Sequence, residues 1–313
     1  MKNNKAYLAA LSYSLIIGLS FLSTKVAITY GSPLLILAHR FSISFVGIYF
    51  ILKLKKVRST FRKEDLIKIA PMTLFYPILF FGFQAYGLSY ISSAESGILF
   101  AVLPVITLLL ASFFIQEKPS MTQKIGIFLS VSGVVFIFTM KGVRLQSDNI
   151  FGIVLTSLSV LSMSIYSIIA KQTFKKYNYL EVTYLMILIG AVSFNILYIG
   201  SALGTFSLSA YLEPFTHSKY IMSIVYIGFF ASVLSSVFSN YALSILPASQ
   251  LSVFSNLSTL VSIIAGVVLL GERLYFYHGV GTLLILIGIF ATNLGNTRKQ
   301  SSQAQTNSIE QSS

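Results

Sequence analysis

Apolar residues in this chain are gathered into long runs, and short polar segments separate one run from the next. A hydrocarbon core about 30 Å thick needs about 20 consecutive apolar residues per helix. Runs of this length recur along most of the chain, and each one predicts a membrane-spanning helix. The ten predicted spans are 6–29, 33–53, 67–88, 93–115, 123–140, 150–170, 181–200, 220–242, 247–270 and 276–295.

Composition agrees with this pattern. Hydrophobic residues make up 55% of the chain, charged residues only 10%, and the mean hydropathy is +0.80. A soluble chain carries about a quarter charged residues, so most of this surface must face lipid. We therefore predict an all-α polytopic membrane protein with the bilayer as its surroundings. The first span is too long for the apolar core of a signal peptide, and we expect it to be retained.

The basic residues orient the predicted helices. Basic loops collect on the cytoplasmic side of a membrane protein. With the N-terminus inside, the inner loops hold Lys2, Lys5, the 53–68 segment, Lys118, Lys124, Lys171, Lys175, Lys176, Arg298 and Lys299, against Lys141, Arg144, Lys219 and Arg273 outside. We predict cytoplasmic N- and C-termini in a bacterial cytoplasmic membrane, and a disordered tail over 296–313. The net charge of +13 does not indicate a nucleic-acid partner, because no soluble basic domain is present.

Two segments of the chain are similar to each other without a gap. Residues 86–133 align with 241–288 at an offset of 155, the distance from Tyr86 to Tyr241. The identical pairs include Tyr86 and Tyr241, Leu88 and Leu243, Ser89 and Ser244, Glu117 and Glu272, Gly126 and Gly281, and Gly133 and Gly288. Such similarity predicts two repeats, 1–145 and 146–295. Each repeat has five spans, an odd number, so the second must cross the membrane in the opposite direction. Inverted repeats are typical of secondary transporters.

The repeated residues also resemble a known family. A Tyr-x-Leu-Ser helix end, a short hairpin and a closing acid–base doublet occur twice, the doublets standing in "SFFIQEKP" (112–119) and "VVLLGERL" (267–274). This pattern is similar to the paired EamA domains of the drug/metabolite transporter superfamily. The resemblance implies a ten-helix inverted-repeat carrier that exports amino acids or other small metabolites without ATP. The first copy departs from the pattern, because "QEK" replaces "GER". We interpret both doublets as helix-end caps.

Three ionisable side chains stand out in the predicted spans, because a charge at the bilayer centre costs about 2.5–3.5 kcal/mol. They are Lys25, Arg40 and Glu95, all in the predicted outer half of the membrane. One hypothesis is a pocket in which Lys25 and Arg40 bind a substrate carboxylate, with Glu95 as counter-ion or amine partner. The alternative is that Lys25 reaches the interface and Arg40 pairs structurally with Glu95. His39 is a weaker candidate for a proton relay.

Neutral polar residues supply further candidates for the substrate path. Asn240 and Asn256 are costly to bury, and Gln84, Tyr86 and Tyr184 are similar candidates on other spans. The many Ser residues on the sixth, eighth and ninth spans are better explained by close helix packing. Asn240 aligns with Ala85 and Asn256 with Ala101, so we expect one site rather than two.

The predicted function is a secondary transporter of small metabolites, amino acids or related compounds among them, that works by alternating access. We expect export rather than import. No Gly-x-x-x-x-Gly-Lys-Ser/Thr segment occurs, so no ATP site is predicted. We expect no cofactor and no metal, since the chain has no Cys for a thiolate site. Monomer and homodimer both remain open. The alternatives are an intramembrane enzyme, which would need clusters of His, Asp or Glu, and a channel or membrane sensor.

Overall fold

The described residues form helices joined by short turns, and no strand is present among them. The computed structural model describes residues 2–56, 63–115, 120–140, 147–246, 248–271, 273, 275–288 and 290–291. The α-helices are α1 (Lys2–Ile28), α2 (Pro33–Leu54), α3 (Lys63–Thr73), α4 (Phe80–Tyr90), α5 (Ser93–Phe100), α6 (Leu103–Ile115), α7 (Met121–Met140), α8 (Ser147–Thr173), α9 (Tyr179–Ser201), α10 (Leu208–Leu212), α11 (Ser218–Val225), α12 (Ser235–Ile245), α13 (Ala248–Leu270) and α14 (Phe276–Gly288). Two π-helical segments, Leu74–Leu79 and Tyr226–Leu234, and a 3₁₀ turn, Glu213–Thr216, complete the set.

Seven helical segments of the described chain are long and apolar enough to cross a membrane. They are Asn4–Ile28, Pro33–Leu54, Ile67–Tyr90, Glu95–Phe114, Asn149–Thr173, Tyr179–Ser201 and Ser218–Ile245. Each lies within a few residues of a predicted span, so the multi-pass, all-helical prediction is confirmed. Shorter apolar stretches, Lys124–Gly133, Leu257–Leu269 and Phe276–Gly288, fall in the other three predicted spans. The predicted tail lies outside the described residues.

Two of these spans are interrupted at corresponding places. The third span runs through α3, a π-helical segment and α4, and the eighth runs through α11, a π-helical segment and α12. α4 and α12 have the same length and lie at the offset of 155 that relates the aligned segments. Both end in extended backbone, at Ile91 and Leu246, whose N–H groups bond to the carbonyls of Gly87 and Ala242. Aligned residues therefore form equivalent local structure.

Glycines bring α7 and α14 into close contact. A Cβ at Gly133 would lie 2.6 Å from the carbonyl oxygen of Gly281, and a Cβ at Gly288 would meet the carbonyl oxygen of Gly126. Small residues allow such close approach of helix backbones in lipid. Under the 155 offset Gly126 corresponds to Gly281 and Gly133 to Gly288, so the two contacts are equivalent. The glycines found by aligning the chain with itself are the residues through which these helices meet.

The remaining helices pack around a buried centre with two distinct ends. α1 lies against α12 and α13, α2 against α9, and α4 against α8. One end, called here the Lys5 end, brings together Lys5, Lys55, Tyr179 and Tyr241 around an open cavity. The other, the His39 end, is filled by aromatic side chains that include Tyr211, Phe215 and Tyr220. The Lys5 end of the bundle therefore contains a cavity, whereas the His39 end is filled by aromatic side chains.

The glycine contact gives a prediction with a control on the same helix. Gly281→Ala would place a Cβ against Ile137 and 2.8 Å from the carbonyl oxygen of Gly133. We expect a loss of about 1–3 kcal/mol, as for other overpacking substitutions, seen as a lower unfolding temperature of the purified protein. Gly279→Ala meets nothing within 4 Å and gains helix propensity, so its unfolding temperature should stay level or rise. Equal behaviour of the two variants would contradict the close contact.

Candidate functional site

The centre of the bundle contains a buried arginine. Arg40 on α2 is 1% exposed. Its Nε donates a hydrogen bond of 2.7 Å to Oγ of Ser232, and its Cζ lies 4.1 Å from the centroid of the Phe81 ring. One terminal nitrogen of the guanidinium is buried and has no hydrogen-bond partner in the described structure. A buried donor that carries a positive charge is thus available to an anion.

A network of hydroxyl and amide groups continues from this arginine toward the Lys5 end. The Tyr76 hydroxyl lies 3.1 Å from Oγ of Ser236, and its ring stacks on Tyr166 at 4.7 Å. Tyr166 donates to Oδ1 of Asn240 at 2.5 Å, and Nδ2 of Asn240 donates to Oγ1 of Thr183 at 2.8 Å. These side chains come from four membrane helices, so the network ties both halves of the chain together at one place.

Interrupted helices position two of these residues. Tyr76 has non-helical backbone angles of φ −142° and ψ 115° inside the first π-helical segment. Ser232 lies in the second, and its hydroxyl donates to the carbonyl of Ile227, five residues earlier. Irregular backbone is tolerated at membrane depth only where it is buried or lines a cavity, and π-helical turns occur frequently at functional sites. Both interruptions lie beside Arg40.

A small cavity adjoins the arginine. Tyr76, Pro77, Phe81, Thr183, Ser232 and Ser236 are among the residues that line it. Its volume is about 10 Å³, which is the room that a single water molecule needs. A metabolite can therefore reach Arg40 only when the surrounding helices move apart.

Glu95 occupies a different position from the one that either hypothesis for Arg40 gave it. It begins α5, where its Oε2 accepts from the backbone N–H of Ser92 while the Ser92 hydroxyl accepts from the backbone N–H of Glu95. This reciprocal pair is a capping box. The Arg40 guanidinium contacts Ser232 and Phe81 instead, so Arg40 and Glu95 do not pair among the described contacts.

The other predicted site residues divide between the network and its surroundings. Asn240 is at the centre of the network, and Gln84 is buried on α4. Tyr184 packs in an apolar cluster beside Phe45. Tyr86 is 37% exposed and takes no part in the hydrogen bonds described above. The side chain of Asn256 lies outside the described residues, as do the predicted caps Glu117 and Glu272.

Lys25 caps the end of an interrupted helix. Its Nζ donates to the carbonyl oxygens of Leu88 and Ile91, at 2.5 and 2.8 Å. Lys171 does the same in the second half, where its Nζ donates to the carbonyl oxygens of Leu243 and Leu246 at 2.9 and 2.7 Å. These acceptors are related by the 155 offset. An ammonium satisfies carbonyls that helix ends leave without partners and interacts favourably with the helix dipole.

His39 is part of an aromatic cluster. Its Nδ1 lies 2.5 Å from the Tyr220 hydroxyl, and its ring packs edge-on to Tyr211 at 4.3 Å and beside Phe215 at 4.7 Å. Burial raises the pKa of the Tyr211 phenol, so this residue stays a neutral donor to Asn195. This cluster closes the His39 end.

Sequence reasoning missed several of these residues. The predicted site does not include Tyr76, Phe81 or Thr183. Pro77, which follows Tyr76 inside the third span, is a signal in the sequence for an interrupted helix at this place, because proline interrupts a helix. Lys171 was interpreted as a loop residue, since nothing in one sequence shows which carbonyls a lysine reaches. Among the described residues, no group of three or more His, Cys, Asp or Glu could hold a metal ion.

A multi-pass helical protein with a buried cationic centre is typical of membrane transport proteins. The EamA-like transporter family matches the chain twice, over residues 4–139 and 150–294. The chain therefore belongs to this family, as its sequence resemblance implied. It is 41% identical over 294 residues to the uncharacterized transporter YcxC of Bacillus subtilis (strain 168), covering 94% of each chain.

More distant relatives agree. An uncharacterized transporter of Archaeoglobus fulgidus is 29% identical over 273 residues, which cover 87% of this chain and 93% of the relative. A protein of known crystal structure superposes with a TM-score of 0.70 at 17% identity, covering 95% of this chain and 99% of the other. The structural likeness extends over the whole fold, and the chain is related to transporters along nearly its full length.

The lysine caps give a prediction that separates support of the fold from substrate binding. Lys25→Met and Lys171→Met each leave two buried carbonyls without a donor, at about 1–3 kcal/mol per buried group. We expect both to lower the unfolding temperature of the purified protein, with Lys176→Met, at an exposed residue, as the control. Transport per folded molecule would stay close to the unsubstituted protein. A normal unfolding temperature combined with lost transport by Lys25→Met would instead return Lys25 to the substrate site.

Proposed function

We propose that this protein is a secondary transporter that carries small metabolites bearing a carboxylate, including amino acids and related compounds, by alternating access. The observation that carries the proposal is Arg40, buried with one guanidinium nitrogen unpartnered and bonded to Ser232 rather than to a carboxylate. An arginine fork fits a carboxylate in two-point geometry. A substrate carboxylate would supply the missing charge and acceptor, with the hydroxyls around Arg40 orienting the rest of the molecule.

The frame of the transporter is proposed to be ten spans in two inverted repeats of five. Its support is the series of equivalent contacts: the interrupted spans, the lysine caps, and the contacts of Gly133 with Gly281 and of Gly126 with Gly288. The two separate family matches, 4–139 and 150–294, fall on the two proposed repeats. In such carriers the substrate binds near the midplane, where the repeats meet and interrupted helices lie.

Alternating access is supported by the unequal ends of the bundle. The His39 end is closed by aromatic packing, whereas the Lys5 end contains a cavity of about 300 Å³. With the N-terminus in the cytoplasm of a bacterial cell, the open end faces inward. A carrier open to the cytoplasm and closed to the outside is ready to load a substrate for export. The site residues of this proposal are Arg40, Asn240, Tyr76, Ser232 and Ser236; Gln84 is a further candidate beside them.

The proposed inversion predicts opposite sidedness for two equivalent residues. Met121 and Phe276 begin α7 and α14, are related by the 155 offset, and are 72% and 83% exposed. The chain contains no Cys, so single cysteines can be introduced without background labelling. We expect Phe276→Cys to react with an impermeant maleimide on intact cells, and Met121→Cys to react only after permeabilisation. Labelling of both residues from the same side would exclude the inverted arrangement.

Substitution of Arg40 tests the substrate site. A thermal-shift screen of small carboxylates first identifies those that stabilise the unsubstituted protein. We expect Arg40→Met to abolish counterflow of these carboxylates in proteoliposomes. The ligand-free Arg40→Met protein should unfold at the same temperature or higher, because the cost of burying the charge disappears. Arg40→Lys keeps the charge without the planar fork, and we expect its KM to rise at least about tenfold, equivalent to 1.4 kcal/mol.

Two outcomes would contradict the proposal. Unchanged KM in Arg40→Met would remove the arginine from the substrate site. Flux through the unsubstituted protein that never saturates and shows no counterflow would favour a channel over a carrier. Lys124→Gln, at an exposed lysine, controls for the loss of one positive charge.

A further inference from the structure

The cavity at the Lys5 end has a chemistry of its own. It encloses about 300 Å³, at the lower end of the range for small-molecule sites, between α1, α2, α9 and α12. Lys5 and Lys55 approach it from two different helices, and Tyr179 and Tyr241 form part of its wall with ring centroids 5.5 Å apart. No acidic side chain is among the described residues that line it. Two ammonium groups without an acid in a walled cleft concentrate anions.

This cavity lies on the same helices as the cavity beside Arg40. On α9, Tyr179 lines the first and Thr183 lines the second, one turn or about 6 Å further along. On α12, Val237 and Tyr241 line the first, whereas Ser236 lines the second. Lys55 caps the C-terminus of α2 and Arg40 lies within this helix, 15 residues and therefore about 22 Å away along the helix axis. Nearby residues of α9 and of α12 therefore line both cavities.

A hydrogen bond joins α9 and α12 next to residues that line the two cavities. Nδ2 of Asn240 donates to Oγ1 of Thr183 at 2.8 Å, and Thr183 itself donates to the carbonyl of Tyr179. Asn240 is adjacent to Tyr241 of the first cavity and one turn from Ser236 of the second. This bond joins α12 to α9 beside Tyr241, which lines the first cavity, and at Thr183, which lines the second.

We propose that the cavity at the Lys5 end is a second, weaker anion site, in which Lys5 and Lys55 receive the carboxylate-bearing substrate before it reaches Arg40. The inference rests on the proposed function for its substrate class. The shared chemistry is an anionic carboxylate or phosphate group, and the alternative source of such a group is the headgroup of an anionic lipid. The soluble substrate is favoured because the tyrosine rings and the hydroxyl of Ser12 extend the cavity inward from the lysines, toward the Arg40 site.

The absence of Cys from the chain allows the field in the cavity to be measured directly. Ser12→Cys places one thiol in the cavity wall. This thiol is modified with an anionic reagent, sulfonatoethyl methanethiosulfonate, and with a cationic one, trimethylammonioethyl methanethiosulfonate. Each rate is divided by the rate of the same reagent with a free thiol, and the ratio of the two results reports the local preference for anions. We expect a preference of about tenfold for the anionic reagent, falling at high salt. Adding Lys5→Gln and Lys55→Gln should bring the ratio close to one, whereas Lys124→Gln with Lys176→Gln, a matched loss of two exposed lysines, should leave it unchanged.

Liposome composition separates the two sources of the anion. The preference should be the same in phosphatidylcholine and in phosphatidylcholine with added phosphatidylglycerol. Loss of the preference when phosphatidylglycerol is present would overturn the proposal in favour of a lipid headgroup site. Equal rates for the two reagents in phosphatidylcholine would overturn it outright.

Transport kinetics test whether the cavity serves the substrate path. The assay uses proteoliposomes, and the carboxylate found by the thermal-shift screen is supplied at the Lys5 end. We expect the double variant Lys5→Gln, Lys55→Gln to have a KM that is about three- to tenfold higher and an unchanged kcat. An unchanged KM would overturn the proposal while leaving Arg40 as the substrate site. The reagent rates do not depend on Arg40, so failure of the Arg40 test and failure of this one are distinguishable.

Discussion

The absence of water from the bilayer interior is the constraint on which the rest of this structure depends. Every backbone or side-chain polar group at that depth needs a partner from the protein. The chain interrupts two spans and ends α4 and α12 in extended backbone, and each end leaves carbonyls without helical partners. Lys25 and Lys171 supply the donors. Two lysines that interrupt apolar sequence are thereby explained as supports for the two hairpins.

Arg40 is one of the described residues that depart from that rule, and it is the one among them that carries a positive charge. The protein satisfies its Nε through Ser232 and covers its plane with Phe81, yet leaves one terminal nitrogen buried without a partner. Such an arrangement destabilises the ligand-free protein. Under the proposed function, stability and substrate binding favour different residues at this position, as is common where a fold retains an unsatisfied site for binding.

Residues that pack the helices occur in pairs related by the 155 offset, whereas the residues of the proposed site do not. Pairs related by the 155 offset, such as Gly133 and Gly288, perform the same packing task in each half. The site residues have no such counterparts: Asn240 aligns with Ala85, and Ser232 aligns with Pro77. Tyr76 and Tyr166 come from the first and second half and stack on each other. In the proposed site, a substrate between the halves would contact each of them once, so the residues that bind it need no repetition.

The sequence by itself determined the helical membrane class, the approximate helix bounds and the family, and it placed the polar residues Arg40 and Asn240 within apolar spans, because long apolar runs and polar groups inside them carry large, local free-energy signatures. It did not determine which groups meet. The Glu95 carboxylate is used by its own helix start, Lys25 by the end of α4, and the Arg40 site is completed by Tyr76, Phe81 and Thr183. Only the tertiary structure decided these partnerships, because each depends on the rotation and depth of helices that are far apart in the chain.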